Sequence, residues 1–217
     1  MAIHHPISSE EDALRYHRWY ERPPGATLAG LEKKVLLHLL SRLPKGPLLE
    51  VGCGTGYFTS WLSELGFQAV GIDSSAPMVK VAHKTYPTIP FLQGSAEALP
   101  FSDRSFDIAA FITSLEFMVR PQTALREAAR VAREAILLGL INRWGFYGLY
   151  RSLRQDVFFR LAHLYSIMEV KALLGCCLDR KFATSWGSAI LSSRFGYGPS
   201  RNPGGGFIAI RIDFLEK

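Results

Sequence analysis

From Leu48 onward the chain alternates short apolar runs with segments whose apolar residues recur every three or four positions. The runs "LLEV", "FQAVGID", "IPFLQG", "SFDIAAFI" and "EAILLGLI" predict strands, and 57–65, 76–85 and the region 121–133 predict helices between them. Strands that are apolar nearly throughout are buried on both faces, which calls for a parallel sheet with helices on each side. This is an open, doubly wound α/β core, whose ligand belongs beyond the carboxyl ends of the strands.

Ahead of the core, "SSEEDALRYHRWYER" offers Ser9 as an N-cap and then Leu14, Tyr16, Trp19 and Tyr20 in a short aromatic helix, ended by "RPPGAT". A second helix from about Thr27 carries Leu28, Leu31, Val35, Leu39 and Leu43 on one face, and "PKGP" stops it. After the core, "NRWGFYGLYRSLRQDVFFRLAHLY" places Phe146, Leu149, Tyr150, Leu153, Val157, Leu161 and Leu164 at helical spacing, with Arg151, Arg154 and Arg160 among them. Such a stripe is read as buried core, as a pocket wall for an aromatic or anionic substrate, or as a membrane-surface helix. A helix from near Ile167 follows. The end of the chain, "KFATSWGSAI" and "GGFIAIRIDFL", reads as two strands joined by the Gly/Pro-rich "SSRFGYGPSRNPGGG", a connector or a lid.

The limits of these elements divide one domain into an N-terminal helical cap (1–47), a core (48–141), a helical insertion on the substrate side (142–168) and a C-terminal helix with a strand pair (169–217). With 217 residues and 48% hydrophobic content the chain can bury a real core. No apolar run reaches the ~18 residues of a membrane span, and "MAIHHPISSEED" is no secretory signal, so a cytoplasmic location is expected. Cys53, Cys176 and Cys177 have neither metal-ligand nor disulfide spacing and are read as thiols, and no metal is expected. The net charge of +6 is uneven: +2 over 1–47, −2 over 48–141 and +6 over 142–217. An anionic partner or scattered solvated side chains account for it equally.

The chemistry centres on "EVGCGTG". A dinucleotide fingerprint needs a third glycine at position 57, where Tyr57 stands, and the absence of Gly-Lys-Ser/Thr removes a triphosphate loop. The spacing is G-x-G-x-G. Asp73, twenty-one residues after Gly52, ends the second strand, where a carboxylate holds the ribose hydroxyls of an adenosine ligand or caps the next helix.

"LLEVGCGTGYFT", "VGIDSSAPMV", "FLQGSAEALPFSDRSFDIAAF" and "LEFMVRPQTALREAARV" together resemble, in order, the motifs of the class I S-adenosylmethionine-dependent methyltransferases, in particular the quinone-biosynthesis and small-molecule group. The resemblance covers Leu48 to Val131. It implies a Rossmann-like fold with a mostly parallel seven-stranded sheet whose last strand is antiparallel. S-adenosylmethionine is the implied cofactor and S-adenosylhomocysteine its product. Carried over residue by residue, it puts Glu50, Gly52, Cys53, Gly54 and Gly56 around the methionine end, Asp73 and Ser74 at the ribose, and Met78 near the adenine. Ser95, Ala96 and Glu97 would lie along the adenine edge, and Thr113 and Ser114 would face the transferring methyl. Ser95 stands where many relatives have an acid, and its alternative role is to cap a turn.

The implied reaction is a direct in-line displacement onto a small-molecule acceptor, aromatic or anionic, with Tyr20, Arg143, Trp144, Tyr147 and Arg151 as substrate contacts. No general base is required. Glu116 and His163 are the only ones to nominate, each read first as structural, so the catalytic residues stay unassigned. Two other functions stay open: a regulatory protein that binds S-adenosylmethionine without transfer, and an RNA methyltransferase. The slightly acidic core and the lack of an Asn/Asp-Pro-Pro-aromatic motif speak against RNA, and nothing points to DNA. Peripheral membrane contact is open, and the oligomeric state is not encoded in any motif.

Overall fold

The computed structural model describes residues 7–41, 43–145, 162–189, 199–200, 202 and 204–215. Helices α1 (Glu10–Trp19) and α2 (Gly25–Leu40) precede β1 (Pro47–Val51), α3 (Tyr57–Glu64), β2 (Gln68–Asp73), α4 (Ala76–Thr85), β3 (Phe91–Gln93) and β4 (Phe106–Ile112). A 3-10 turn at Leu115–Phe117, α5 (Pro121–Val131), β5 (Ala132–Ile141), α6 (Ile167–Cys177), β6 (Phe182–Ala189), β7 (Pro199–Ser200) and β8 (Phe207–Phe214) complete it. The insertion between 146 and 161, with Tyr147 and Arg151, and most of the Gly/Pro-rich connector lie outside the described residues.

The strands form one sheet in the order β3-β2-β1-β4-β5-β8-β6-β7. β1 to β5 are parallel, and β8 lies antiparallel between β5 and β6. Seven strands were expected; the two residues of β7 add an eighth along β6. Proline, which lacks an N–H, suits such an edge. Chain order reverses between β1 and β4, where a crevice opens at the carboxyl ends of the strands.

Strand alternation decides which side chain meets which helix layer. Leu48, Ile108, Leu137, Phe207 and Ala209 face α2 and α3, whereas Leu49, Ala109, Ile136, Ile208, Ile210 and Ile212 face α5 and α6. The period-2 pattern of β8 anticipates this split. The second helix starts at Gly25, two residues before the expected Thr27, and ends before Leu43, which packs on the core from the turn beyond.

The connection from edge strand β3 to central β4 has no helix and relies on α5 to hold it. The Arg130 guanidinium donates to the carbonyls of Phe101 (2.7 Å) and Leu99 (3.0 Å) and pairs with Asp103 and Glu127. Glu127 also accepts from the Leu99 N–H at 2.8 Å. Charge-assisted bonds of this kind are each worth about 1.5–3 kcal/mol. Arg130→Met, which keeps the apolar stem, is expected to lower stability by about 2 kcal/mol and the melting temperature by roughly 4–8 °C; an unchanged melting curve would remove Arg130 from this role.

Candidate functional site

The turn after β1 is built from left-handed backbone. Gly52, Gly54 and Gly56 have φ of +74°, +54° and +80°, a region that side-chain-bearing residues avoid. The Ile72 carbonyl accepts from both Gly52 N–H (2.7 Å) and Cys53 N–H (3.0 Å), so the turn stays fastened to β2. At Gly56 a Cβ would meet the Phe91 ring at 2.6 Å, so this glycine also lets α3 start against β3. Gly54 is different: a Cβ there would find nothing nearer than 3.8 Å, leaving its face open to a ligand.

Asp73 ties this turn to the next one. Its two carboxylate oxygens accept from Gly54 N–H and Ser75 N–H, each at 2.8 Å, and the residue is buried. Ser75, not Asp73, is the N-cap of α4. Glu50 lies at the end of β1, buried, with the Thr59 hydroxyl donating to it. Burial pushes its carboxyl up to about 8, with the Asp73 charge adding to the shift and Thr59 opposing it.

A narrow cleft, partly open to solvent, runs along Glu50, the glycine turn, Thr113 and the rings of Tyr16, Tyr20, Tyr57 and Phe58. Its roof is α1. His17 Nδ1 lies 2.9 Å from Thr55 Oγ1, and Glu10 pairs with Lys80 (2.7 Å) and Lys84 of α4. Burial lowers the His17 pKa, which favours a neutral ring in this contact. Tyr20 stacks on Tyr57 with centroids 4.3 Å apart, and Lys33 Nζ lies 4.1 Å over the other ring of that stack, Tyr57.

The residues expected at the site separate into groups. Glu50, Gly52, Cys53, Gly54, Thr113 and Tyr20 line the cleft, and Gly56 and Asp73 brace its turn. Ser114 does not line it: its hydroxyl donates to the Val51 carbonyl at 2.7 Å, and it fills the space that Gly52 leaves. Thr113, a β-branched residue, sits at φ +49°, held by its N–H to the Gly139 carbonyl at 2.7 Å. Such strain costs of order 1–3 kcal/mol and collects at functional sites.

Met78 packs beneath α1 with Ile7, Ala13 and Val81, and the exposed Ser74 offers its carbonyl to the Gln93 side chain. Ser95 is exposed, and its hydroxyl accepts from Glu97 N–H at 3.2 Å, the turn-capping bond of the alternative reading. Ala96 packs on the core, and Glu97 is paired with Arg120 at the start of α5. Arg143 also has its charge engaged, donating to the Leu164 carbonyl and pairing with Glu169, while Trp144 is 73% exposed.

Of the two nominated bases, Glu116 is buried, accepts from Ile141 N–H at 2.7 Å, and has its carbonyl bound by His163 N–H. Its other oxygen finds no partner among the described residues, and burial pushes it up to about 7. Neither residue lines the cleft. Among the described residues no group of three or more His, Cys, Asp or Glu is placed to hold a metal ion. Sequence reasoning missed Tyr16, His17 and Thr55 as site residues; the aromatic density of "RYHRWY" was the available signal.

Because Glu50 titrates near 8 in the folded chain and near 4.5 unfolded, the stability it gives is complete below about 4.5 and is lost as pH rises through about 8. Glu50→Gln, which does not titrate, is expected to match the native chain near pH 5 and to exceed it near pH 9, with a gap on the order of 1–3 kcal/mol. Parallel denaturation curves at all pH values would count against a buried, proton-bearing Glu50.

A family model described as a methyltransferase domain matches residues 49–137. An uncharacterized protein of Methanocaldococcus jannaschii is 32% identical over 166 residues, 75% of this chain and 76% of that protein. Demethylmenaquinone methyltransferase of Renibacterium salmoninarum is 33% identical over 101 residues, 46% of this chain but 43% of that enzyme, so the match spans less than half of its length. The crystal structure of an S-adenosylmethionine-dependent methyltransferase from Thermotoga maritima superimposes with a TM-score of 0.75 over 94% of this chain and 97% of its own, at 24% identity.

Proposed function

Because the chain belongs to the class I S-adenosylmethionine-dependent methyltransferases, we propose that it methylates a small-molecule acceptor from the cleft beneath α1. The observation that carries this reading is the roof itself: Tyr16 and Tyr20 of α1 close over Glu50 and the glycine turn, leaving a narrow space. That space suits a compact acceptor better than a polymer lying across an open face. No described helix is long and apolar enough to cross a membrane.

The residues present fit the cofactor, as the open face of Gly54 and the buried carboxyl of Glu50 indicate. When bound, S-adenosylmethionine supplies a methyl group on positively charged sulfur, already activated toward a nucleophile. Glu50, Gly52, Gly54 and Thr113 would hold its methionine end, and Asp73 its ribose. Glu50 loses its proton more readily beside a cation, since an opposite charge lowers a carboxyl pKa. Asp73 keeps the Gly54 N–H fixed, and α1 excludes water from the reacting end. The contribution of the protein is therefore orientation and desolvation, with no acid-base pair in the cleft.

On this reading the acceptor enters at the ends of β4 and β5. The rings of Tyr20 and Tyr57 along the cleft favour an aromatic one. An anionic acceptor would have to compete with Glu169 for Arg143.

Calorimetry is expected to show saturable binding of S-adenosylmethionine and S-adenosylhomocysteine and none of NAD. Asp73→Ala should weaken both ligands by about 1.5–3 kcal/mol, roughly 10- to 150-fold in dissociation constant. Methyl label should pass from S-adenosylmethionine into the low-molecular-weight fraction of a cell extract. Label found only in RNA would replace the small acceptor by a nucleic acid, and binding without any transfer would favour a regulatory protein.

A further inference from the structure

Helix α1 meets the glycine turn at two adjoining positions. A Cβ on Gly54 would find the Tyr16 ring 3.8 Å away, and at the next residue of the helix His17 Nδ1 lies 2.9 Å from the Thr55 hydroxyl oxygen. Thr55 stands between the left-handed Gly54 and Gly56 and lines the cleft, so this bond joins the roof to the part of the turn that shapes the site. Both partners are buried, His17 at 7% exposure and Thr55 at 1%. Of the side chains that pack a helix onto a turn, histidine is the one whose charge changes near neutral pH.

The surroundings of the imidazole favour its neutral form. The rings of Tyr86, at the end of α4, and Tyr57, at the start of α3, lie 5.9 and 6.4 Å from it, each steeply inclined. Asp73 braces the same turn from β2 through the Gly54 N–H, and on α4 the charges of Lys80 and Lys84 are held by Glu10, two helical turns back along α1. Glu21, just past α1, pulls His17 toward the charged form, and Glu21 and Glu64 both act on the Tyr86 phenol. Burial outweighs Glu21 and keeps His17 below its ordinary value of 6.5. A protonated ring carries a full charge and an N–H donor on both nitrogens, and among the described residues only Thr55 hydrogen-bonds it. Lifting α1 returns that charge to water, so the closed roof selects the neutral ring and acid selects the open roof.

Resting on the function proposed above, we infer that His17 is a positioning residue: its neutral ring latches α1 to the glycine turn at Thr55, and its protonation frees the roof, so that the cleft holds its cofactor near neutral pH and loosens in acid. His17 does not itself line the cleft and acts through Tyr16 and Tyr20 on the same helix, which do. The step is the uptake of one proton as α1 lifts, with no covalent change. The closure that His17 supports is complete above its ordinary value of 6.5 and is lost as pH falls through the lower value of the buried ring.

The test uses the full chain and S-adenosylhomocysteine, with His17→Gln as the variant, whose amide still meets Thr55 but takes up no proton. Titration of Glu50 or of the ligand contributes equally to both chains, so the readout is the difference between them. Between about pH 7.5 and 5.5 the dissociation constant of the native chain should rise about threefold or more beyond that of the variant. Without ligand, the hydrogen-exchange rate of α1 amides relative to α5 amides, a ratio in which the intrinsic effect of pH cancels, should climb over the same range in the native chain and stay level in the variant. If His17→Gln fails to fold, the ring resonances of the native chain serve: His17 should titrate below 6.5, and lower still with the ligand bound. A pH dependence shared by both chains, a level exchange ratio in the native chain, or a His17 ring that titrates at or above its ordinary value would overturn the latch and leave the proposed function standing. A native chain that binds no S-adenosylhomocysteine at any pH would overturn the proposed function, and the exchange ratio and ring titration would still decide the latch.

Discussion

The carboxylate of Asp73 is the joint on which the site depends. One oxygen holds the Gly54 N–H and the other the Ser75 N–H, so the turns after β1 and β2 are locked to a single rigid group. Without that joint the left-handed turn at Gly52, Gly54 and Gly56 would lose its main tie outside the sheet. Its position sets the start of α3, hence Thr59 against Glu50, hence the floor of the cleft. A carboxylate has more lone pairs than two backbone donors use, so bracing and ligand binding are compatible in one residue.

Charge in the cleft follows from the same arrangement. Asp73 accepts from two backbone donors, and its nearness adds to the burial that keeps Glu50 protonated. Glu50 is therefore neutral at pH 7, and its negative charge becomes available as soon as a cation enters. A neutral ligand would have no means of drawing out that charge. The aromatic roof works in the same sense, because ring faces attract cations and exclude water. An acidic core within a chain of net charge +6 is thus a local preference, unrelated to the basic excess toward the C-terminus.

Much of the fold was legible because its signals are local. Continuous apolar runs gave the buried parallel strands, alternation in "FIAIRIDF" gave both faces of β8, and three glycines at alternate positions gave the turn. The roof was not legible, since nothing in "RYHRWY" states that His17 reaches Thr55, thirty-eight residues away, or that Tyr20 lies on Tyr57. Ser114 and Arg143 show a second limit. Residue type and motif position suggested a ligand contact, but each side chain is engaged within the protein: Ser114 by the Val51 carbonyl, Arg143 by Glu169 and the Leu164 carbonyl. Competition from within the chain is decided by three-dimensional proximity, which a linear pattern does not carry. The left-handed Thr113 is invisible for the same reason, as its bond to the distant Gly139 helps keep it there.

The two ends of the cleft are held in different ways, and this bears on how the protein would work. The glycine turn is fixed by backbone hydrogen bonds to buried groups, which open only with the core. The roof is fixed by ion pairs of Glu10 with Lys80 and Lys84, by one His17–Thr55 contact, by ring packing and by the buried packing of Ile7 and Ala13 on Met78 and Val81. Exposed ion pairs contribute about 0–1 kcal/mol each and weaken with salt. Lifting α1 breaks these contacts but none of the hydrogen bonds of the sheet, so it costs less than unfolding the sheet and leaves the turn its shape. A ligand that adds contacts to Tyr16, Tyr20 and the turn at once would draw the equilibrium toward the closed form, by no more than its preference for that form. Under the proposed function, entry and release would depend on α1, and the chemistry of recognition on Asp73 and Glu50.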